Sequence, residues 1–162
     1  MCGAPDQAVA LPPGTDLTKE TVLTGRVVAE GHPVGGAFVR LWFGFSRRAL
    51  YLRLDPARGA TPSGVLHILI SRGAAERTLR VRLGEGDCPI EDSQGVSVGT
   101  SRMGSILELA IDLGRIGLLP NDSIGILLRL TREDVEVDRL PRYGELSVCV
   151  PDEGFESAHW HV

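Results

Sequence analysis

The sequence predicts an all-β fold, an immunoglobulin-like or jelly-roll-type antiparallel β-sandwich. Nine short segments of strand-forming residues follow one another from residue 21, and Gly, Pro, Asn and Asp separate them. No long segment repeats apolar residues with the period of an α-helix. With 162 residues the chain has the length of one ordinary domain. We therefore expect a flexible N-terminal arm over residues 1–20 and a single sandwich domain over residues 21–162.

The predicted strands are, in chain order, TVLTGRVVA, AFVRLWFGF, ALYLRLD, VLHILIS, TLRVRL, GVSVGT, SILELAIDL, SIGILLRLT and ELSVCV. Between the seventh and the eighth strand the alternation of apolar and polar residues stops. Leu113, Ile116 and Leu119 follow there at spacings that suit one short helical turn near residues 113–119, which a PND turn closes. We expect this helical turn to cover one end of the sandwich.

The stretch LWFGFSRRALYLRLD is the best-patterned hairpin of the sequence. Successive strand side chains point to opposite faces, so its apolar alternating sets should enter the core. These sets are Val39, Leu41, Phe43 and Phe45 on the first strand and Leu50, Leu52 and Leu54 on the second. Trp42 and Tyr51 then share the opposite face. Two registers are open: Trp42 lies opposite Tyr51, or a shift of two residues places it opposite Arg53.

Four residues on that opposite face form a candidate carbohydrate-binding site: Trp42, Tyr51, Arg40 and Arg53. Pyranose rings stack on aromatic side chains through their C–H faces, and arginine donates in-plane hydrogen bonds to pairs of hydroxyls. Aromatic pairs across strands also stabilise sheets that bind nothing. This structural interpretation is the simpler one, and the sequence leaves both open.

Residues 41–162 resemble the C-terminal β-domain of glycoside hydrolase family 57 proteins, which process α-glucans. The segments LWFGFSRRALYLRLD, LELAIDLGRIGLLPNDSI and VPDEGFESAHW carry the resemblance. It implies an accessory sandwich domain rather than an enzyme, because the family's two catalytic carboxylates lie in a barrel to which nothing in this sequence is similar. Glu108 and Asp112 share the outward side of one strand and fit a solvated face.

The first 40 residues resemble a different family. MCGAPDQAVALPPGTDLTKETVLTGRVV and then PVGGAFVRL are similar to the start of small uncharacterised actinobacterial proteins. These are carboxypeptidase regulatory-like, transthyretin-like sandwiches that are often encoded beside sulfurtransferases. The resemblance implies a link to sulfur metabolism, with Cys2 as a sulfur-carrying candidate. The sequence departs from that family after PVGGAFVRL, so the family's whole domain cannot be carried over.

Other candidate ligand sites have simpler explanations. The loop GEGDCPIEDSQG holds four carboxylates that could bind calcium, but its spacing matches no defined calcium loop, and a solvated acidic turn fits better. Cys88 lies among these acids, which disfavour its thiolate. His159 and His161 in the terminal HWHV could chelate a metal only with further ligands. His67, in VLHILIS, fits a half-buried strand residue. We therefore predict no metal and no cofactor.

Composition limits the classes of partner. The formal net charge is −4, Lys19 is the only lysine and no basic tract is present, which argues against nucleic acid. No apolar run is long enough for a membrane helix, and no signal peptide is expected. Three cysteines without metal-type spacing favour a reduced, cytoplasmic setting.

The function predicted from the sequence is that of a non-catalytic accessory domain. It would bind an α-glucan or pack against a separate catalytic chain of the glycoside hydrolase type. The alternative is a small protein-interaction or scaffold domain linked to sulfur metabolism.

Overall fold

The computed structural model describes the backbone of residues 22–30 and the complete residues 36–152. The predicted arm over residues 1–20, together with Cys2, His159 and His161, lies outside the described residues. The strands of the described part are β1 (Val22–Glu30), β2 (Phe38–Phe45), β3 (Ala49–Pro56), β4 (Gly64–Arg72), β5 (Ala75–Leu83), β6 (Gly86–Glu91), β7 (Ser97–Met103), β8 (Leu107–Asp112), β9 (Ser123–Arg132), β10 (Val135–Leu140) and β11 (Leu146–Cys149).

The strands pair along one continuous path, in the order β1-β2-β3-β8-β7-β6-β5-β4-β9-β10, and all pairs are antiparallel. A single residue pair, Arg80 with Glu91, joins β5 to β6. The path therefore bends there into two layers. The first sheet is β1-β2-β3-β8-β7-β6, and the second is β5-β4-β9 with β10 and β11 end to end along the far edge of β9. The predicted all-β class is confirmed.

The core lies between the two sheets and is almost entirely aliphatic. Every second residue of the central strands enters it, because side chains alternate between the faces of a strand. Its central members are Leu50, Leu52 and Leu54 on β3, Leu66, Ile68 and Ile70 on β4, Leu107, Leu109 and Ile111 on β8, and Ile126, Leu128 and Leu130 on β9. The predicted inward set of β3 is therefore correct.

A buried carboxylate links the sheets on the side away from β6. Asp138 on β10 is 4% exposed, and its Oδ2 accepts hydrogen bonds from the backbone N–H groups of Ala37 (2.7 Å) and Phe38 (2.9 Å), where β2 begins. A third backbone N–H, that of Arg139, donates to Oδ1. These bonds satisfy a charge that would otherwise be costly to bury. Asp138 thus joins the second sheet to the first without a strand pair.

A β-bulge corrects part of the predicted core of β2. The register against β3 shifts between Phe38 and Arg40, so Val39 is an extra residue. Val39 is 37% exposed and Phe38 is 1% exposed, the reverse of the alternating prediction. Beyond the bulge the prediction is correct, and Trp42 lies opposite Arg53. The structure therefore selects the second of the two open registers.

The connection between β8 and β9 forms one hydrogen-bonded turn, as predicted, although no helix is assigned there. The N–H of Ile116 donates to the carbonyl of Asp112 (3.2 Å), and the N–H of Leu118 donates to that of Leu113 (2.9 Å). Leu113, Ile116 and Leu118 are buried, whereas Leu119 is 63% exposed. The third apolar contact of the turn is thus made by Leu118 instead of Leu119.

Two strands were not predicted, β6 and β10. β6 contains Gly86, Asp87 and Pro89, three residue types that are depleted in strands, and it is held by pairing with β7. β10 carries three charged residues among six. Its register against β9 shifts between Glu136 and Asp138, and this bulge turns Asp138 toward the core.

Candidate functional site

The first candidate surface is the outer face of the first sheet, where the predicted carbohydrate site lies. Its centre is formed by Trp42, Tyr51, Arg53 and Asp55, which we call the Trp42 network. The β2–β3 pairing places Trp42 beside Arg53. Tyr51 precedes Arg53 by two residues on β3 and therefore lies on the same face. Trp42 and Tyr51 are buried, but neither belongs to the core cluster. The sequence correctly predicted that they share the non-core face.

Asp55 organises the Trp42 network. Its Oδ2 accepts a hydrogen bond from Trp42 Nε1 at 3.2 Å, and its Oδ1 accepts one from Arg53 Nε at 2.7 Å. The Arg53 Cζ lies 5.9 Å from the centroid of the Trp42 ring, within the range of a cation–π contact. One carboxylate therefore holds the polar edge of the indole and the cation that covers its ring. Asp55 was not among the predicted site residues.

The exposure of these residues decides what they can contact. Trp42 is 8% and Tyr51 is 9% exposed, while Arg40, opposite Asp55, is exposed. A sugar stacks on an aromatic ring whose face is open to it. In this arrangement the rings are enclosed and the charge of Arg53 is balanced by Asp55. The carbohydrate role of Trp42, Tyr51, Arg40 and Arg53 stays a prediction.

A cleft of about 360 Å³ lies at one end of the sandwich, between the β2–β3 turn and the β8–β9 connection. Arg47, Arg48 and Asp112 supply its charges, and Leu113 and Leu118 its apolar wall. The Asp112 carboxylate accepts a hydrogen bond from the backbone N–H of Arg115 at 2.9 Å. Among the lining residues that the structure describes, Asp112 is the one acid.

The acidic loop that could have held calcium is occupied by internal bonds. Asp87 pairs with Arg102 at 2.7 Å across β6 and β7. Asp92 accepts hydrogen bonds from the N–H groups of Val96 and Gln94, and the bond from Val96 is the main reason that the pKa of Asp92 is lowered. Over the described residues, no group of three or more His, Cys, Asp or Glu side chains could hold a metal ion.

The cysteine of β6 is part of the packing. Cys88 is a half-buried free thiol that packs against the core cluster. Cys149, at the end of β11, is also half-buried. The cytoplasmic location stays a prediction.

The second candidate surface is the outer face of the second sheet, which was not predicted from the sequence. His67 on β4 lies directly between Arg80 on β5 and Arg129 on β9, and Arg129 lies opposite Arg139 on β10. We call these four residues the cationic row. Alternation within each strand shows that they point outward, but only the strand order β5-β4-β9-β10 brings them side by side. At ~4.8 Å per strand, the row extends over about 14 Å.

The two halves of the cationic row differ in how their charges are balanced. Glu136 accepts hydrogen bonds from Arg129 Nε at 2.7 Å and from Arg139 Nε and Nη2 at 2.8 and 3.2 Å. The bond from Arg139 is the main cause of the lowered pKa of Glu136, and Arg129 acts in the same direction. The Arg80 side chain is exposed and forms no hydrogen bond with the described residues, although Arg80 lies opposite Glu91 on β6 and its charge contributes to the lowered pKa of Asp92.

His67 is affected by this imbalance. Its Nε2 lies 3.0 Å from Thr131 Oγ1. Partial burial lowers the pKa of His67, and the charges of Arg129 and Arg80 lower it further, against a smaller opposing effect of Asp134. The row therefore favours the neutral imidazole, which limits the repulsion between its members.

The comparisons with known proteins concern the N-terminal quarter of the chain. Residues 2–44 match the family model described as "Protein of unknown function (DUF1416)". Two uncharacterised proteins of Mycobacterium tuberculosis are 62% identical to this chain over 42 residues, which are 25% of this chain and 42% of theirs. An uncharacterised protein of Mycolicibacterium smegmatis is 69% identical over 32 residues, 19% of this chain and 36% of its own. No solved structure matches significantly.

These matches confirm a resemblance to uncharacterised mycobacterial proteins, and the family match ends within β2. The chain spans less than half the length of these relatives. Two resemblances stay predictions. One is that of residues 41–162 to the glycoside hydrolase domain, and the other is that of the N-terminus to transthyretin-like proteins encoded near sulfurtransferases. In the described part of the chain, no helix has the length and apolarity needed to cross a membrane.

Proposed function

We propose that this protein is a non-catalytic β-sandwich domain that acts by binding another protein chain, as an accessory or scaffold domain. The observation that carries the proposal is the use of its acidic groups. Asp55, Asp87, Asp122 and Glu136 each pair with arginine at a different place on the surface. Because these four carboxylates are engaged in ion pairs within the chain, they favour a binding role over two-carboxylate hydrolysis.

Site-specific photo-crosslinking in host cells tests this proposal. A photoreactive phenylalanine analogue at Arg40, on the outer face of the first sheet, should give a reproducible adduct with one protein chain. The matched control places the analogue at Arg58, which is exposed in the β3–β4 turn and away from the strands. Equal adducts at both positions, or none at Arg40, would contradict binding through this face.

Binding of an α-glucan is the second candidate function. Trp42, Tyr51 and Arg53 lie on one face, and the Arg53 guanidinium already contacts the Trp42 ring, which favours a ligand that uses aromatic and arginine groups together. Their burial requires that the face open before a sugar can stack. Tyr143 offers a second aromatic surface, because it is 81% exposed with the Arg142 Cζ 5.6 Å from its ring centroid.

Native affinity electrophoresis through glycogen or amylopectin tests the glucan candidate. Wild type, Trp42→Ala and Tyr143→Ala are compared in gels with and without polysaccharide, and circular dichroism confirms that each variant is folded. If polysaccharide retards wild type and Trp42→Ala alone abolishes the retardation, the predicted site is supported. If Tyr143→Ala alone abolishes the retardation, the site lies at the β10–β11 connection. If polysaccharide does not change the migration of wild type, glucan binding is excluded.

The role in sulfur metabolism is a third, separate hypothesis that depends on Cys2. Wild type is incubated with a sulfurtransferase that carries a persulfide and is then treated with a persulfide-specific label. Labelling of wild type but not of Cys2→Ala would support this hypothesis. Labelling of both to the same extent would exclude Cys2 as the carrier.

A further inference from the structure

The cationic row is an unusual use of a solvent-facing sheet. Like charges directly opposite each other on neighbouring strands destabilise a sheet, and the pair of Arg129 and Arg139 in this row is bridged by Glu136. Here Arg80, His67, Arg129 and Arg139 are consecutive neighbours across four strands. A further arginine, Arg82, lies on the same face of β5, and it too forms no ion pair with the described residues.

The half of the row near β10 shows which group it recognises. Arg129 and Arg139 together hold the carboxylate of Glu136 through three hydrogen bonds. Arginine binds carboxylates in this manner because its guanidinium presents several coplanar donors. The half near β5 has the same kind of cations, Arg80 and Arg82, without a carboxylate bonded to them.

We propose that Arg80, Arg82 and His67 bind carboxylates of an extended acidic segment of a partner protein. Arg80 and Arg82 are alternate residues of one strand, so their side chains leave the sheet about 7 Å apart. Alternate side chains of an extended acidic segment have the same spacing. This inference goes beyond the proposed function because it concerns the other sheet and states the chemistry of the partner.

The surroundings of the row favour a peptide over a nucleic acid. Leu69 and Leu127, half-buried and paired with each other, flank the row on one side, and Val65 flanks it on the other. Such aliphatic strips suit the apolar side chains of a peptide. Single-stranded nucleic acid is bound mainly by stacking on exposed aromatics, and the strands of this face that flank the row present none among their described residues.

The test uses the full chain and a fluorescent peptide in which glutamate alternates with threonine, at low ionic strength, with binding read by fluorescence anisotropy. A lysine–threonine peptide is the charge control. The matched variant control is Arg77→Gln, which removes the same charge from β5. Arg77 is paired with Ile70 and belongs to the opposite alternating set of β5 from Arg80 and Arg82. Circular dichroism verifies the fold of every variant.

Wild type should bind the glutamate peptide and not the lysine peptide. Arg80→Gln and Arg82→Gln should each weaken binding about tenfold, as expected for the loss of one charged hydrogen bond, while Arg77→Gln should bind as wild type does. Equal losses for Arg77→Gln and Arg80→Gln would reduce the effect to net charge and overturn the proposal. Binding of oligothymidylate as tight as that of the peptide would also overturn it.

His67 gives an independent readout by NMR. Bound carboxylates should raise the pKa of His67, and Arg80→Gln should remove this rise. The groups that face His67 are Arg80 and Arg82 on β5, Arg129 and Thr131 on β9, Asp134 in the β9–β10 turn, and Glu136 and Arg139 on β10. A His67 titration that the peptide leaves unchanged would contradict contact with the row.

Discussion

The outer faces of the two sheets carry the same kinds of groups but differ in how their charges are balanced. On the first sheet, the carboxylate of Asp55 holds both Arg53 and the indole of Trp42, and the aromatics are enclosed. On the second sheet, Glu136 holds Arg129 and Arg139 through hydrogen bonds, whereas the Arg80 side chain acts on the carboxylate of Asp92 without a hydrogen bond to any described residue. A face whose groups are hydrogen-bonded to one another stabilises the fold. A face with cations that are not hydrogen-bonded leaves them available to a ligand.

The largest expected effect comes from breaking the link between the sheets. Asp138→Ala should lower the free energy of unfolding by about 3 kcal/mol, because it leaves the buried N–H groups of Ala37 and Phe38 without their acceptor. Urea denaturation measures the change. Asp134→Asn, an exposed position in the adjoining turn, is the control and should be near neutral. A loss for Asp138→Ala no larger than that of the control would show that the carboxylate does not hold the sheets together.

Breaking the Trp42 network should have the next largest effect. Asp55→Ala removes the acceptor of Trp42 Nε1 and the partner of Arg53, at a site where both charged side chains are less than one-fifth exposed. The free energy of unfolding should fall by about 1–2 kcal/mol, and the tryptophan emission should change. Arg40→Gln, on the exposed residue opposite Asp55, should leave both unchanged. Equal effects of the two substitutions would show that the hydrogen bonds of Asp55 to Trp42 and Arg53 do not stabilise the fold.

Removing the balancing carboxylate should make the second face more uniformly cationic. Glu136→Gln leaves Arg129 and Arg139 opposite each other without a counter-charge, and the free energy of unfolding should fall by about 0.5 kcal/mol. Affinity for the glutamate–threonine peptide should rise, because two further arginines become available. Weaker peptide binding by this variant would show that Glu136 supports the surface instead of competing for it.

The pH dependence of stability should show the state of His67. Its pKa is lowered in the fold, chiefly by partial burial, so the unfolded chain binds the proton more readily. Stability is therefore complete above the ordinary pKa of about 6.5 and falls as the pH drops from there toward the folded pKa. His67→Gln should weaken this fall in urea denaturation measured over that range. An unchanged pH profile would mean that His67 is not under the influence of the row.

The sequence predicts the parts of this molecule that depend on local alternation. The inward set of β3, the shared face of Trp42 and Tyr51, and the turn after β8 follow from the spacing of apolar residues. The bulge at Val39 does not, because one extra residue reverses the alternation without leaving a mark in composition. β6 escaped prediction because pairing with β7 overrides the poor strand propensity of its glycine, aspartate and proline.

The functional surfaces were harder to predict than the fold for a related reason. Trp42 and Arg53 lie within one hairpin, so their proximity can be read from a local pattern. His67, Arg80 and Arg129 come from three strands, and fifty residues separate the end of β4 from the start of β9 in the chain. Each strand alone shows one or two outward cations, which resembles an ordinary solvated face. Only the long-range pairing reveals a continuous row.

The central claim is that the Arg80 side chain is held by no hydrogen bond from the described residues and is therefore available to a ligand, whereas Arg53 is held by Asp55. The stability of the two glutamine variants tests this claim most directly. Urea denaturation should show Arg80→Gln near neutral, because the charge of Arg80 acts only across an exposed surface. Arg53→Gln should be less stable than wild type by about 1–2 kcal/mol, because it removes a partly buried, charged hydrogen bond. A loss of stability in Arg80→Gln as large as that in Arg53→Gln would mean that Arg80 is held in the same way and would contradict the account.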